Sequence, residues 1–254
     1  MHKNISIASQ ICEQASDIPR RYFRGQIGVD YKSDESPVTR ADKETESFIR
    51  DAIRREFPGQ SIIGEEFESE LHDSDYEWII DPIDGTRSFV SGMPLYGMLL
   101  AQLNRGRPEI GIVRMPELNE SYAGDSQETR RNSTDIIHVS DTTSLEDAIV
   151  YVNEGEKLLK HYPELFQRLS QTGRVTRLGY DCYPHVLLAA GHVDLVVDFD
   201  LKPYDYLPLV PVIEGAGGLI TDWQEQSLHL ESNGQVVSAA TPELLRQALE
   251  ILNP

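Results

Sequence analysis

The sequence predicts an α/β fold, and three observations carry that expectation. A helical repeat of apolar residues runs from Thr39 to Pro58. Two short apolar runs, at residues 61–64 and 78–80, each end in acidic residues beside turn formers. Past residue 140, strand-like and helix-like segments alternate.

Taken in order, Ile5, Ile11 and Cys12 stand among polar neighbours and read as an opening helix, and residues 34–37 read as a loop. Thr39 can cap a second helix, in which Thr45, Phe48, Ile49, Ala52, Ile53 and Phe57 recur at helical spacing until Pro58 and Gly59 stop it. The runs at 61–64 and 78–80 read as buried strands delivering carboxylates at their carboxyl ends. Residues 95–103 and 110–115 form a strand pair turning through Asn104-Arg105-Gly106, and 121–123 adds a third strand. The second half then reads as a strand at 148–152, a helix at 157–169, a strand at 175–178, a helix at 183–190 and a strand at 193–197. Asp205 is expected to open a helix with Pro208 in its first turn, distorted at Pro211 and ended by Gly215, Gly217 and Gly218. A last helix begins at Thr241-Pro242, a cap followed by proline at the first helical position.

With 254 residues, 39% hydrophobic and 26% charged, the chain can bury a large core in one domain or in two closely packed halves. The polar stretch 124–135 is the boundary candidate, giving an α+β half at 1–130 and an α/β half at 131–254. No apolar run approaches the ~18 residues of a membrane span, and residues 1–10 lack a secretory apolar stretch, so a cytoplasmic protein is expected. Cys12 and Cys182 fit neither a disulfide framework nor a zinc site. A formal charge of −19 argues against nucleic acid and anionic membranes as partners. A phosphate ligand would need divalent cations, which excess carboxylates could hold.

The segment 78–89, WIIDPIDGTRSF, concentrates the chemistry. Pro82 fixes the backbone between Asp81 and Asp84, and Gly85 permits a tight turn, so both aspartates can converge on one point. Glu65 ends the preceding strand, and Asp205 begins a distant helix. An acid beside a turn is ordinarily a cap or a solvated group. Here the apolar run before Asp81 drags a charged pair to the core edge, where ions are costly unless compensated, and a metal cluster compensates them. Asp42 lies near the inward face of its helix but also in the first turn, where acids suit the dipole, and spacing leaves these readings even.

The combination of Gly64-Glu65-Glu66, WIIDPIDGT at 78–86, and a late aspartate followed by Glu214-Gly215-Ala216-Gly217-Gly218 resembles the inositol monophosphatase superfamily over nearly the whole chain. That resemblance implies a layered αβαβα fold of the sugar-phosphatase type and a homodimer. It implies two or three Mg²⁺ ions on Glu65, Asp81, Asp84, Asp205 and the carbonyl of Ile83, with Asp42, Thr86 and Glu65 in catalytic roles. Most metal ligands would then fall in the first half, with one ligand and the substrate contacts in the second. The implied reaction is direct hydrolysis of a phosphate monoester by a metal-activated water, without a phosphoenzyme. Phosphate would rest on the metals and on the amides of Gly85 and Thr86, where a short helix would start.

Residues 84–100 and 201–218 are similar to the histidinol-phosphatase branch, with Lys202-Pro203-Tyr204 where inositol-type members place Trp before the late aspartate. Aligning Asp194 and Asp205 with the family puts Asp181 and Asp198 against the alcohol moiety, and Arg87 and Gly179 in the substrate site. A carboxylate at Asp181 would penalise a neutral polyol and pair with the ammonium or imidazole of histidinol, on which Tyr180 could stack. The competing readings are that Asp181 caps the helix near Tyr183 and that Asp198 merely ends a strand, where family members more usually carry Glu. The alternative enzyme is an inositol or broad polyol monophosphatase. A catalytically idle metal-binding subunit is disfavoured, because Glu65, Asp81, Asp84, Thr86 and Asp205 are all present.

Overall fold

The computed structural model describes residues 3–25, 28–31 and 37–253. Two helices open the chain, α1 (Ile5–Ala15) and α2 (Asp17–Tyr22), followed by a small antiparallel pair, β1 (Val29–Tyr31) and β2 (Pro37–Thr39), and the long α3 (Arg40–Glu56). Of the loop expected at 34–37, residues 34–36 lie outside the described residues, and Pro37 begins a strand. The α3 start follows its chemistry: Thr39 Oγ1 accepts the Ala41 N–H at 3.1 Å, and Asp42 Oδ2 accepts the Thr39 N–H at 2.8 Å.

A seven-stranded sheet comes next in sequence order: β3 (Ser61–Gly64), β4 (Tyr76–Asp84), β5 (Gly97–Asn104), β6 (Arg107–Met115), β7 (Glu120–Gly124), β8 (Thr129–Arg131) and β9 (Asp135–Ile136). It is antiparallel except for the β3–β4 pair. Between β4 and β5 sits the short α4 (Thr86–Val90). The polar stretch 124–135, the boundary candidate, is itself structured. It supplies β8 and β9, with Asn132 and Ser133 in left-handed turns, and its polarity reflects a sheet edge facing solvent.

The second sheet has the order β11-β10-β12-β14-β13, from β10 (Ile149–Asn153), β11 (Val175–Gly179), β12 (Leu195–Asp198), β13 (Leu219–Asp222) and β14 (Val236–Ala239). β11 and β12 flank β10 in parallel, while β14 runs antiparallel to β12 and β13. Its helices are α5 (Gly155–His161), α6 (Pro163–Leu169), α7 (Tyr183–Ala189), α8 (Pro203–Tyr206), α9 (Leu209–Gly215) and α10 (Pro242–Leu252).

Side-chain alternation along the strands builds five layers. Trp78 and Ile80 of β4 face α1 and α3 with Ile5, Ile49 and Ile53, whereas Ile79 faces the opposite way, toward Val186 of α7 and Val212 and Ile213 of α9. Those two helices are sandwiched between the sheets, since the same core includes Val196 of β12 and Val236 of β14. On the outer face of the second sheet, Val150, Val152, Leu195 and Val197 pack against Leu158, Leu165 and Leu244 of α5, α6 and α10. The result is αβαβα. Among the described residues no helix is long and apolar enough to cross a membrane.

Three local expectations are corrected. The helix expected at 157–169 is two helices, because Pro163 excludes Tyr162 from helical geometry (φ −139°, ψ 62°). Asp205 does not open its helix; it is the third residue of α8, which starts at Pro203. Pro208 precedes α9, and Pro211, lying in the first turn of α9, needs no N–H partner and does not distort it.

Candidate active site

The ladder between β4 and β5 slips between Asp81, opposite Leu99, and Asp84, opposite Gly97, so three residues of β4 span two of β5. Pro82, unable to donate, sits inside this bulge, and Ile83 returns its N–H to Asp81 Oδ1 at 3.0 Å. The bulge brings both carboxylates to one side. Asp84 Oδ2 accepts the Cys182 N–H at 2.5 Å, and Asp205 Oδ2 accepts the Lys202 N–H at 2.7 Å. Oxygens of Asp81, Asp84 and Asp205, from two distant segments, all lie within 4.8 Å of one another.

Among the described residues these three carboxylates form no salt bridge. Burial raises the Asp81 carboxyl well above its ordinary range, and the charges of Glu65, Asp84 and Asp205 push the same way. Asp84 is raised by burial and by Asp181 and Asp205, and Asp205 is raised to about 6, mainly by burial. Like charges converging in a buried place are costly unless compensated, and hard oxygen donors in this number suit a divalent ion such as Mg²⁺. Glu65 lies outside the tight trio but beside it. Its N–H is bound to Ile80 O at 3.2 Å, at the join of β3 and β4.

Asp42 and Thr86 meet across the site. Asp42 is fully buried; Oδ2 accepts from Thr39 N and from Thr39 Oγ1, and Oδ1 accepts the Thr86 hydroxyl at 3.2 Å. The same hydroxyl lies 3.2 Å from Ile83 O. Desolvation raises the Asp42 carboxyl despite these donors. Thr86 is the first residue of α4, and Gly85 is its N-cap at φ 85°, so the first-turn amides have no intrahelical partner.

Asp181 follows β11 in left-handed geometry (φ 58°) and does not cap α7, whose start carries no side-chain cap bond. Its carboxylate lies over Gly85, where a Cβ would fall 2.4 Å from Asp181 Cγ, and accepts the Ser88 hydroxyl at 2.5 Å. Burial raises it to about 6, with Glu154 and Asp198 adding repulsion. Asp198 is not brought to the open face. Only 2% exposed, it accepts from Asn153 Nδ2 at 2.6 Å and the Phe199 N–H at 2.8 Å, and lies 3.1 Å from His185 Nε2. The shorter Asp side chain is taken up behind the pocket, where Asn153 also donates to Asp181 O at 3.1 Å. Gly179 is buried against Asn153, whose Oδ1 would lie 2.3 Å from a Cβ. Arg87 is exposed, 3.9 Å from Glu156, and Tyr180 is also exposed.

Sequence reasoning missed Ser88, Asn153, Glu154 and His185. Glu154 (φ 48°) and Asp200 (φ 66°) follow β10 and β12 in left-handed geometry as Asp181 follows β11, and Lys157 bridges Glu154 and Asp200 at 2.6 and 3.2 Å. Three acids thus stand just past the carboxyl ends of adjacent parallel strands, the end of an α/β sheet at which ligands commonly bind. Their position just after predicted strands, like that of Asp81, was the available signal.

A model of the Inositol monophosphatase family matches residues 1–253. The chain belongs to the inositol monophosphatase family. It is 37% identical over 257 residues to the bifunctional phosphatase IMPL2, chloroplastic, of Arabidopsis thaliana, covering 97% of this chain and 74% of that protein. It is 33% identical over 240 residues to a histidinol-phosphatase of Chlorobaculum parvum, covering 93% and 92%. Among solved structures, an inositol monophosphatase from Zymomonas mobilis superposes with a TM-score of 0.88 at 36% identity, over 99% of this chain and 98% of that one. Membership makes the chain a phosphatase of the phosphoric monoester hydrolase class, in a family that is generally Mg²⁺-dependent. Relatives named for different esters leave its own substrate to the residues of the pocket.

Proposed function

We propose that this phosphatase hydrolyses L-histidinol phosphate to L-histidinol and phosphate. The observation that carries the reading is Asp181: a carboxylate seated over Gly85, beside Glu154 and Asp198, with no salt bridge among the described residues. An ammonium or imidazolium on the alcohol would neutralise it, whereas a neutral polyol would leave it desolvated with only the exposed Arg87 to offset its charge.

Glu65, Asp81, Asp84, Asp205 and the Ile83 carbonyl would hold Mg²⁺, which neutralises the phosphate and makes water more acidic. Asp42 and Thr86 are the pair to orient the attacking water and receive its proton, since Thr86 Oγ1 points both to Asp42 and to the Ile83 carbonyl. The free first-turn amides at Gly85 and Thr86 would receive the phosphate, with the exposed Arg87 beside them as a substrate contact. A second reading, a neutral polyol phosphate, is favoured by the Ser88–Asp181 pair, which could accept from and donate to hydroxyls.

Turnover of histidinol phosphate and inositol 1-phosphate, each with Mg²⁺ and after verified metal removal, tests both parts. A clear preference for histidinol phosphate that vanishes on chelation is expected. Equal or reversed preference removes the histidinol assignment, and undiminished turnover without metal removes the metal centre.

A further inference from the structure

α3 carries three buried charged residues one turn apart on one face: Asp42, Glu46 and Arg50. Asp42 reaches Thr86, as described. One turn on, Glu46 Oε2 accepts the N–H of Glu66 at 2.7 Å, and Glu46 Oε1 takes Arg50 Nε at 2.7 Å. Arg50 spends its remaining arms on the same segment: Nη1 donates to Glu70 Oε1 at 2.9 Å and Nη2 to Phe67 O at 3.2 Å. The guanidinium also lies over the Phe67 ring, 5.8 Å from its centroid. Ile62 and Glu70 exchange two backbone hydrogen bonds at 2.8 Å, closing residues 62–70 into a loop with Glu65 at its inner bend.

Gly64 fits this contact closely. A Cβ there would meet Glu46 Oε1 at 2.1 Å and Arg50 Nη2 at 3.0 Å, so the ion pair lies directly against the backbone beside Glu65. An exposed ion pair needs no such approach, and a pair serving only α3 would not donate to or accept from three residues of the next loop. The buried pair thus joins α3 to the end of β3 and the bend that follows it, where Glu65 stands.

We infer that Glu46 and Arg50 are positioning residues for the metal centre: they lock the 62–70 loop to the helix that bears Asp42, so that Glu65 and Asp42 are held at fixed separation. The inference rests on the reading of Glu65 as a metal ligand. Its logic is that of outer-shell groups elsewhere, which orient a ligand they do not themselves contribute. Arg50→Lys retains the charge but cannot bridge Glu46, Phe67 O and Glu70 together.

The test is calorimetric titration of Mg²⁺ into the metal-stripped full chain, wild type and Arg50→Lys, with melting temperature and circular dichroism as controls on folding. Mg²⁺ affinity should fall roughly tenfold in Arg50→Lys. The Mg²⁺ concentration for half-maximal turnover should rise by more than kcat at saturating Mg²⁺ falls. A folded Arg50→Lys with wild-type Mg²⁺ affinity overturns the inference. If that variant does not fold, Glu70→Gln, at a partly exposed side chain, decides in the same way: weaker Mg²⁺ binding supports the clamp and unchanged binding overturns it. A wild type that binds no Mg²⁺ overturns the metal centre and the clamp together. A wild type that binds Mg²⁺ but turns over neither ester touches only the substrate assignment.

Discussion

Thr86 Oγ1 donates to Asp42 Oδ1 at 3.2 Å, joining the start of α4 to the start of α3 across 44 residues of sequence. Because Asp42 is already fixed by Thr39 through its other oxygen, it holds Thr86 rather than the reverse. Thr86→Ala should therefore leave the fold intact and lower kcat by roughly 10²-fold or more, the scale of a lost proton-transfer partner, with a smaller change in KM. Steady-state kinetics at saturating Mg²⁺ check this. An unchanged kcat would exclude the role.

Metal-free protein should lose stability as pH rises. Asp181 and Asp205 are raised to about 6 from an ordinary value of 3.8, and burial and neighbouring charges raise Asp81 and Asp84 well above that ordinary value too. Between about pH 4 and 6 the folded chain then holds more protons than the unfolded one, so unfolding becomes easier with increasing pH across that window. The melting temperature of stripped protein should be higher near pH 5 than near pH 7.5, and added Mg²⁺ should raise it more at the higher pH. A flat apo profile would show that the carboxylates are compensated without metal.

These four acids also show how far the sequence could be read. Asp81 and Asp84 were legible because an apolar strand runs straight into them and proline and glycine mark the bend. Helical and strand periodicity gave the α/β alternation, and the five layers came from the family resemblance alone. What failed was set by tertiary context. Residues 124–135 read as a polar boundary because the strands there lie at a sheet edge, and β13 and β14, which sequence reasoning missed, are set by their antiparallel pairing in the second sheet. Asp198 carries the right charge at the aligned position, yet lacks one methylene of the usual Glu. Only the fold shows that Asn153 and His185 occupy its oxygens. Glu46 and Arg50 resemble any helical i,i+4 surface pair until their burial is known.

Gly85 is required twice over, and the two requirements can be separated. Its φ of 85° disfavours a side chain, and a Cβ would also strike Asp181 at 2.4 Å. Gly92, at φ 78°, shares the strain, but its Cβ would meet only the Arg24 side chain at 3.4 Å. Both alanine variants should lose about 1–2 kcal/mol in thermal or urea unfolding. Gly85→Ala should additionally lose kcat/KM well beyond Gly92→Ala, because Asp181 must move. Equal activity in the two variants would show that the approach of Asp181 to Gly85 has no part in turnover.

Asp181→Asn separates a counter-ion from a neutral contact. The amide retains the shape of the carboxylate and can still accept from Ser88, but it carries no charge and suffers less from burial beside Glu154 and Asp198. If Asp181 faces a cationic alcohol, the variant should lose roughly 1.5–3 kcal/mol of interaction with histidinol phosphate, about a ten- to hundredfold fall in kcat/KM. Activity on inositol 1-phosphate should hold or rise, since a desolvated charge has been removed. Metal-free stability at neutral pH should also rise, because one of the raised acids no longer ionises. Equal loss on both esters would place Asp181 in general positioning of the pocket, acting through Gly85 and Ser88. A full set of kinetic constants for both esters, with the melting temperature of each protein, distinguishes these outcomes.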